Sequence, residues 1–328
     1  MSVLVTGGAG YVGSHAVAEL VERGYDVVVA DSLEMGGHRE AVWPGAKYME
    51  GNLLDAGFLD RVFTENEITG VMHFAASMIA PESMVKPEKY FRNNVVGTLG
   101  LLDAMLKHDV ERLVFSSSAC VYGDPESVPL PETARTVPLN PYGESKITVE
   151  RMLKWYDAAH GLKSVCLRYF NVAGAHISGK IGEDHHPETH IIPLIIKAML
   201  KGEIFRLQGD DYDTPDGTCI RDYIHATDLA DAHILAMKKL EKDKTSDIYN
   251  LGNSKGFSNR QIIEAVEKVS GLSVKVEIIG RRPGDSPVLV ASSDKIKNAL
   301  GWKPKRTEIG QIVETAYRWH SSHPNGYN

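Results

Sequence analysis

The stretch from Val3 to Asp31, VLVTGGAGYVGSHAVAELVERGYDVVVAD, constrains the fold more than any other part of this chain. Val3–Thr6 is a short apolar run suited to a buried strand. Gly8, Gly10 and Gly13 satisfy G-x-G-x-x-G, and Gly7, Gly10 and Gly13 satisfy the looser G-x-x-G-x-x-G. A helical pattern follows, with Val12, Ala16, Val17 and Leu20 on one face and Arg23-Gly24 closing it. A second strand, Tyr25–Ala30, ends in Asp31. Glycines in such a turn let backbone N–H groups approach a pyrophosphate. The helix start adds its positive dipole end. An acid at the end of the second strand accepts hydrogen bonds from ribose hydroxyls and repels a 2′-phosphate, which favours NAD over NADP. A lone glycine motif is weak, but strand, turn, helix, strand and acid fall here in the required order.

The same alternation continues. Further strands are expected at Tyr48–Asn52, Val71–Ala75, Arg112–Ser117 and Ser164–Phe170, with helical segments between them. Near-continuous apolar strands suit a parallel sheet covered on both faces. The expected class is therefore α/β: a Rossmann-type doubly wound parallel sheet with a smaller mixed α/β substrate-binding domain. Residues 1–170 read as the dinucleotide-binding domain, with 221–252 and 306–328 returning to it. Residues 171–220 and 253–305, rich in Gly, Pro and charged loops, read as the smaller domain.

The third region of interest is RLVFSSSACVYG, a buried strand ending in serines, followed by a proline-rich loop and NPYGESK. Ligands of open α/β sheets sit beyond the carboxyl ends of the strands, so serines there are site candidates. Asn140 fits a helix N-cap and Pro141 the first helical position. Tyr142, Lys146, Val149 and Leu153 then share one face, which turns Tyr142 and Lys146 inward. With 13 tyrosines, about one Tyr-x-x-x-Lys arises by chance, and a Lys146–Glu150 surface pair is the plainer alternative.

Taken together, the glycine turn, the strand-end Ser118 and Tyr142-x-x-x-Lys146 resemble the extended short-chain dehydrogenase/reductase family. LRYFNVAGA, GEDH, RDYIHATDLADAH, YNLGN and RRPGD extend the resemblance to its sugar-nucleotide branch over nearly the whole chain. The resemblance implies NAD-dependent 4-epimerisation of a UDP-hexose. Tyr142, Lys146 and Ser118 would be catalytic. The NAD would meet Gly7, Gly10, Tyr11, Val12, Gly13, Asp31, Asn52, Leu53, Phe74, Ala75, Ala76, Asn93, Tyr142, Lys146 and Phe170. The UDP-sugar would meet Ser118, Asn171, His190, Arg221, Arg282, Asp285 and Leu289. In the family's chemistry the lysine cation and the oxidised nicotinamide lower the tyrosine's pKa, so that the phenolate acts as base. A UDP-glucuronate 4-epimerase and a non-catalytic NAD-binding module remain alternatives. A 4,6-dehydratase would carry an Asp-Glu pair where this chain has Ala119 and Cys120. Three positions depart from the family pattern. Met78 stands where a lysine often contacts the pyrophosphate, and Asn52 replaces an aspartate beside the adenine. Leu289 replaces a tyrosine that walls the sugar pocket, which leaves room for an N-acetyl group.

Composition bounds the partners. A net charge of −7 argues against nucleic acid. No signal peptide is expected from the opening residues, and without a long apolar run no membrane span is expected either. Three scattered cysteines fit a reducing cytoplasm. The resemblance implies a homodimer, with Val95–Lys107 and Ile147–Tyr156 as candidate interface helices. In GEDHHPETH, Glu183, Asp184, His185, His186, Glu188 and His190 cluster, but their spacing matches no standard zinc pattern. No metal is expected, and the run is read as a loop over the substrate.

Overall fold

The computed structural model describes residues 2–282 and 285–327; Pro283 and Gly284, inside the RRPGD loop, lie outside it. Six strands, β1 (Ser2–Thr6), β2 (Asp26–Asp31), β3 (Lys47–Glu50), β4 (Ile68–His73), β5 (Arg112–Ser118) and β6 (Lys163–Tyr169), join the strand Asp247–Leu251 in one sheet. The order is β3-β2-β1-β4-β5-β6, then Asp247–Leu251 at the edge, and every pairing is parallel. Order reverses between β1 and β4, which opens a crevice at their carboxyl ends.

Alternation along β1 explains the two layers. Val3 and Val5 point to one face and pack with Val17 and Leu20 of the helix Tyr11–Glu22 and with Leu229, Met237 and Leu240 of the helix Ala226–Asp243. Leu4 points to the other face and packs with Phe58, Leu101, Met105, Val149 and Leu153 from three further helices. Val3, Leu4 and Val5 are all fully buried. A strand covered on both faces has no need of polar residues, hence its unbroken apolar run.

The second body is built on the strand Ile220–His225. It pairs with Asn171–Ala173, Gly256–Ser258 and Val288–Leu289. A two-stranded parallel ribbon, Ile204–Gln208 with Lys275–Ile279, lies beside it. Three helices, Ile191–Lys201, Asn259–Ser270 and Ile309–Ser322, close its core.

Two segments go elsewhere than expected from the sequence. The helix Ile309–Ser322 does not return to the large sheet: Ile312, Val313 and Ala316 pack with Ile195, Ile196 and Val266 in the second body. An amphipathic stripe says that a helix is covered, not by what. Conversely, residues 294–302 leave the second body. Ile296 and Trp302 join the core under the large sheet, and the Trp302 indole N–H donates to the Asp228 carbonyl at 3.0 Å. Among the described residues no helix is long and apolar enough to cross a membrane.

Candidate active site

A cleft of about 1280 Å³ runs between the two bodies along the carboxyl ends of the strands. Single ligand pockets are commonly ~300–1,000 Å³, so this one has room for a dinucleotide and a second ligand. Every residue assigned above to cofactor or substrate lines it.

The glycine turn forms one end. Gly7 has φ +73° and lies against β4; a Cβ there would meet the Ala75 nitrogen at 2.5 Å. A Cβ on Gly13 would meet the Gly7 carbonyl oxygen at 2.1 Å. The turn and the helix start are therefore pressed together in a way only glycine allows, and Gly7, Gly10, Tyr11, Val12 and Gly13 line the cleft. Asp31 braces this loop: its carboxylate accepts from the Ala9 N–H at 3.0 Å and the Leu33 N–H at 2.9 Å. Burial raises its pKa, and those backbone donors oppose the rise. The cradle has the form that suits a dinucleotide pyrophosphate, and Asp31 stands at its edge. Tyr11 contributes differently: its hydroxyl donates to the Gly174 carbonyl at 2.6 Å and ties the turn to the second body.

The tyrosine helix, Pro141–His160, starts as the sequence indicates. The Asn140 side chain accepts from the Gly143 N–H at 2.9 Å, with Pro141 in the first turn. Gly143 lets the helix sit close to residues 119–121, since a Cβ would meet the Cys120 oxygen at 2.5 Å. Lys146 is 2% exposed and donates to the Ser116 carbonyl at 2.8 Å. Its ammonium lies 5.8 Å from the Tyr142 ring centroid and 5.0 Å from that of Phe115. Glu150 does not pair with Lys146 on the surface. It is buried under the site, bound by Arg168 at 2.6 Å and by the Ser117 hydroxyl at 2.5 Å. Arg168 in turn donates to the Tyr122 hydroxyl at 3.0 Å.

The electrostatics of the bare site are those of a desolvated pair. Burial pushes the Tyr142 phenol far up; Cys120 and Tyr169 add to this and Ser118 opposes it. Burial pulls Lys146 down to about 7, against the pull of Cys120 and Glu150. The protein alone therefore leaves Tyr142 protonated. A positive charge brought into the cleft would favour the phenolate.

Across the cleft, Asp285 gathers two guanidinium groups. Arg282 donates to it at 2.8 and 3.1 Å, and Arg221 lies 3.5 Å away. The Arg221 side chain is only 14% exposed, and its guanidinium donates to the Ile220 carbonyl at 2.9 Å. Two oriented forks beside a cleft suit a diphosphate. Asn171 and Leu289 sit on strands of the small sheet and face the same space. Asn52 is spent partly on the rim, donating to Glu34 at 2.9 Å.

Sequence reasoning passed over Asn94. Its side chain is buried, donates to the Ser77 carbonyl at 3.0 Å and the Ser145 hydroxyl at 2.9 Å, and accepts from the Ser77 N–H at 2.7 Å. It ties the loop after β4 to the helix that carries Tyr142. Its neighbour Asn93 lines the cleft and donates to the Ser77 hydroxyl at 3.1 Å. The adjacent pair of asparagines inside an otherwise helical run was the available signal.

Residues 3–252 match the family model described as the NAD dependent epimerase/dehydratase family. The chain belongs to that family. It is 50% identical to the UDP-glucose 4-epimerase of Lacticaseibacillus casei, over 100% of this chain and 99% of that protein. It superposes on a crystal structure of UDP-glucose 4-epimerase with a TM-score of 0.98 at 49% identity, covering 100% of both chains. The UDP-glucose 4-epimerase of Bifidobacterium longum, solved in complex with NAD+ and UDP, matches with a TM-score of 0.94 at 38% identity over 100% of both chains. Family membership accounts for the all-parallel sheet and for the glycine cradle together.

Proposed function

We propose that this chain interconverts the C4 epimers of a UDP-hexose, UDP-galactose and UDP-glucose, with NAD as its cofactor. The observation that carries this reading is the meeting of Ser118, Tyr142 and Lys146 at the end of β5, inside a cleft that holds the glycine cradle at one end and paired arginines across it. The glycine turn would hold NAD, which would supply hydride exchange at the sugar's C4 and a positive charge favouring the Tyr142 phenolate. Tyr142 takes the proton of the sugar 4-hydroxyl and returns it after the sugar has turned over. Ser118 hydrogen-bonds the same oxygen. Lys146, fixed by the Ser116 carbonyl, holds its charge beside the phenol. Arg221 and Arg282 hold the diphosphate, so the 4-keto hexose rotates without leaving. Binding energy from the distant nucleotide thus offsets a loose grip at the reacting sugar. Ala119 and Cys120 offer no carboxylate to eliminate water, which speaks against a dehydratase.

Leu289, where a bulkier side chain would narrow the sugar end, supports acceptance of UDP-N-acetylhexosamines as well. A homodimer is supported by exposed apolar side chains on the two helix regions expected to pair: Val96 at 52%, Leu99 at 40% and Trp155 at 72%. The Tyr156 hydroxyl donates to Asp103 at 3.0 Å and links the two helices into one face. The three free cysteines, two of them buried, fit a reducing cytoplasm.

The deciding assay is incubation of the purified protein with UDP-galactose. UDP-glucose should appear without net NADH. A Tyr142→Phe variant should lose at least ~100-fold in kcat and still bind NAD. Near-normal turnover in that variant would remove Tyr142 from its role, and a 4-keto-6-deoxy product would assign the chain to dehydration instead.

A further inference from the structure

The loop Gly182–His190 gathers four side chains, of which Glu183, His185 and Glu188 have no part in the reaction above and His190 is expected at the sugar nucleotide. Glu183, His185, Glu188 and His190 each present one ligand atom, and these atoms all lie within 4.8 Å of one another. Glu183 and His185 are 4% and 6% exposed, and the Glu188 side chain is 7% exposed. The His185 Nδ1 lies 3.2 Å from Glu183 Oε1 and 3.8 Å from Glu188 Oε1. The His190 Nδ1 lies 2.5 Å from Glu183 Oε1 and 3.6 Å from Glu188 Oε1.

The two imidazoles contact the two carboxylates directly, and those carboxylates raise both histidine pKa values above the ordinary range against the opposing effect of burial. Glu183 Oε1, His185 Nδ1, Glu188 Oε2 and His190 Nδ1 are all buried and have no well-formed hydrogen bond outside the cluster among the described residues, while Glu188 Oε1 accepts from the Thr189 and His190 N–H groups at 2.8 and 2.9 Å. The Lys197 ammonium stands 3.9 Å from Glu188. Two carboxylates and two imidazoles turned toward one buried point, with no group outside the cluster to complete them, have the donor set and spacing that a shared cation takes. Tetrahedral zinc at ~2.0–2.1 Å from nitrogen and oxygen ligands spaces them about 3.3 Å apart. Three of the four nitrogen–oxygen separations are within about half an ångström of this, and the fourth must open by about 0.8 Å.

We infer that Glu183, His185, Glu188 and His190 form a site for a divalent transition-metal ion of the zinc class. Two neutral imidazoles and two carboxylates balance its charge and match its preference for mixed nitrogen and oxygen ligands. The role is structural. His190 Nδ1 is buried while the side chain is 44% exposed, so the ring's other edge faces the cleft. A metal on Nδ1 fixes the proton on Nε2 and makes that edge a permanent donor toward the bound ligand. The spacing in the sequence concealed the site because the four ligands come from one irregular loop rather than from a helix or a zinc ribbon.

The test uses the full-length protein, stripped with a chelator and titrated with Zn2+ alone. One equivalent per chain should bind. Affinity should rise from pH 6 to pH 8, because metal and protons compete for the same nitrogens. Co2+ in its place should give the visible spectrum of a four-coordinate site. His185→Gln and Glu183→Gln should each weaken Zn2+ binding at least ~10-fold and abolish the Co2+ spectrum, with circular dichroism showing that the variants remain folded. His186→Gln, and Glu22→Gln in the grouping of Glu19, Glu22 and His176, should bind Zn2+ as the parent does. Absence of stoichiometric binding would overturn the assignment. So would binding unchanged by His185→Gln, or binding lost only with Glu22→Gln. None of these readouts depends on turnover of a sugar nucleotide.

Discussion

Lys146 should make the NAD-free protein less stable, and removing it should show by how much. The side chain is 2% exposed, and burial drops its pKa from 10.5 to about 7. Each pH unit of displacement corresponds to about 1.4 kcal/mol, so the charged lysine costs the fold about 5 kcal/mol. The carbonyl of Ser116 returns about 1 kcal/mol of that through its hydrogen bond. Lys146→Met keeps the length and removes the charge, so the variant should be more stable than the parent by about 3–4 kcal/mol at pH 6. The folded lysine binds fewer protons than the unfolded one between pH 7 and 10.5. The gain should therefore be full below pH 7, shrink as pH rises from there, and vanish above about 10.5. Thermal unfolding of both proteins, freed of NAD, at pH 6, 8 and 10 checks this; for a chain this long the shift at pH 6 should be roughly 4–6 °C. A variant that is less stable at pH 6, or a difference that does not change with pH, would refute the placement of a desolvated ammonium at this point. The same variant should be inactive, because the charge that costs stability is the one held beside Tyr142.

Other substitutions probe the scaffold. Gly13→Ala places a methyl 2.1 Å from the Gly7 oxygen; it should weaken NAD binding by at least ~10-fold, seen by fluorescence titration, with far less effect on secondary structure. Glu150→Ala leaves the Arg168 guanidinium buried and unpaired; the cost should be about 3–5 kcal/mol in denaturant unfolding. Leu289→Tyr should lower turnover of UDP-N-acetylglucosamine relative to UDP-glucose, measured as the ratio of kcat/KM values, and an unchanged ratio would detach Leu289 from sugar selection.

Local signals in the sequence carried far. The glycine turn and the Asn140-Pro141 helix start are settled within a few residues of chain, so their geometry could be read directly. Expected strands lay within a few residues of the observed ones, because fully buried strands leave unbroken apolar runs. Long-range partners were less legible. Glu150 looked like a surface neighbour of Lys146, yet Arg168 on β6 claims it across 18 positions. The helix Ile309–Ser322 announced an apolar stripe without naming its neighbour. The loop Gly182–His190 has no periodicity to read, so only the folded chain shows which of its side chains converge.

The way the chain passes between the two bodies bears on how ligands leave. It crosses after β6, returns where Ile220–His225 leads into Ala226–Asp243, crosses again at 252–256, returns at 290–294, and crosses last at 302–309. A two-body protein joined by one linker can swing open on a hinge. Here any swing must bend all of these connections at once, so the walls of the cleft act as a rigid frame. Exchange of the dinucleotide then falls to the rim loops, and its rate becomes a property of topology as well as of contact strength.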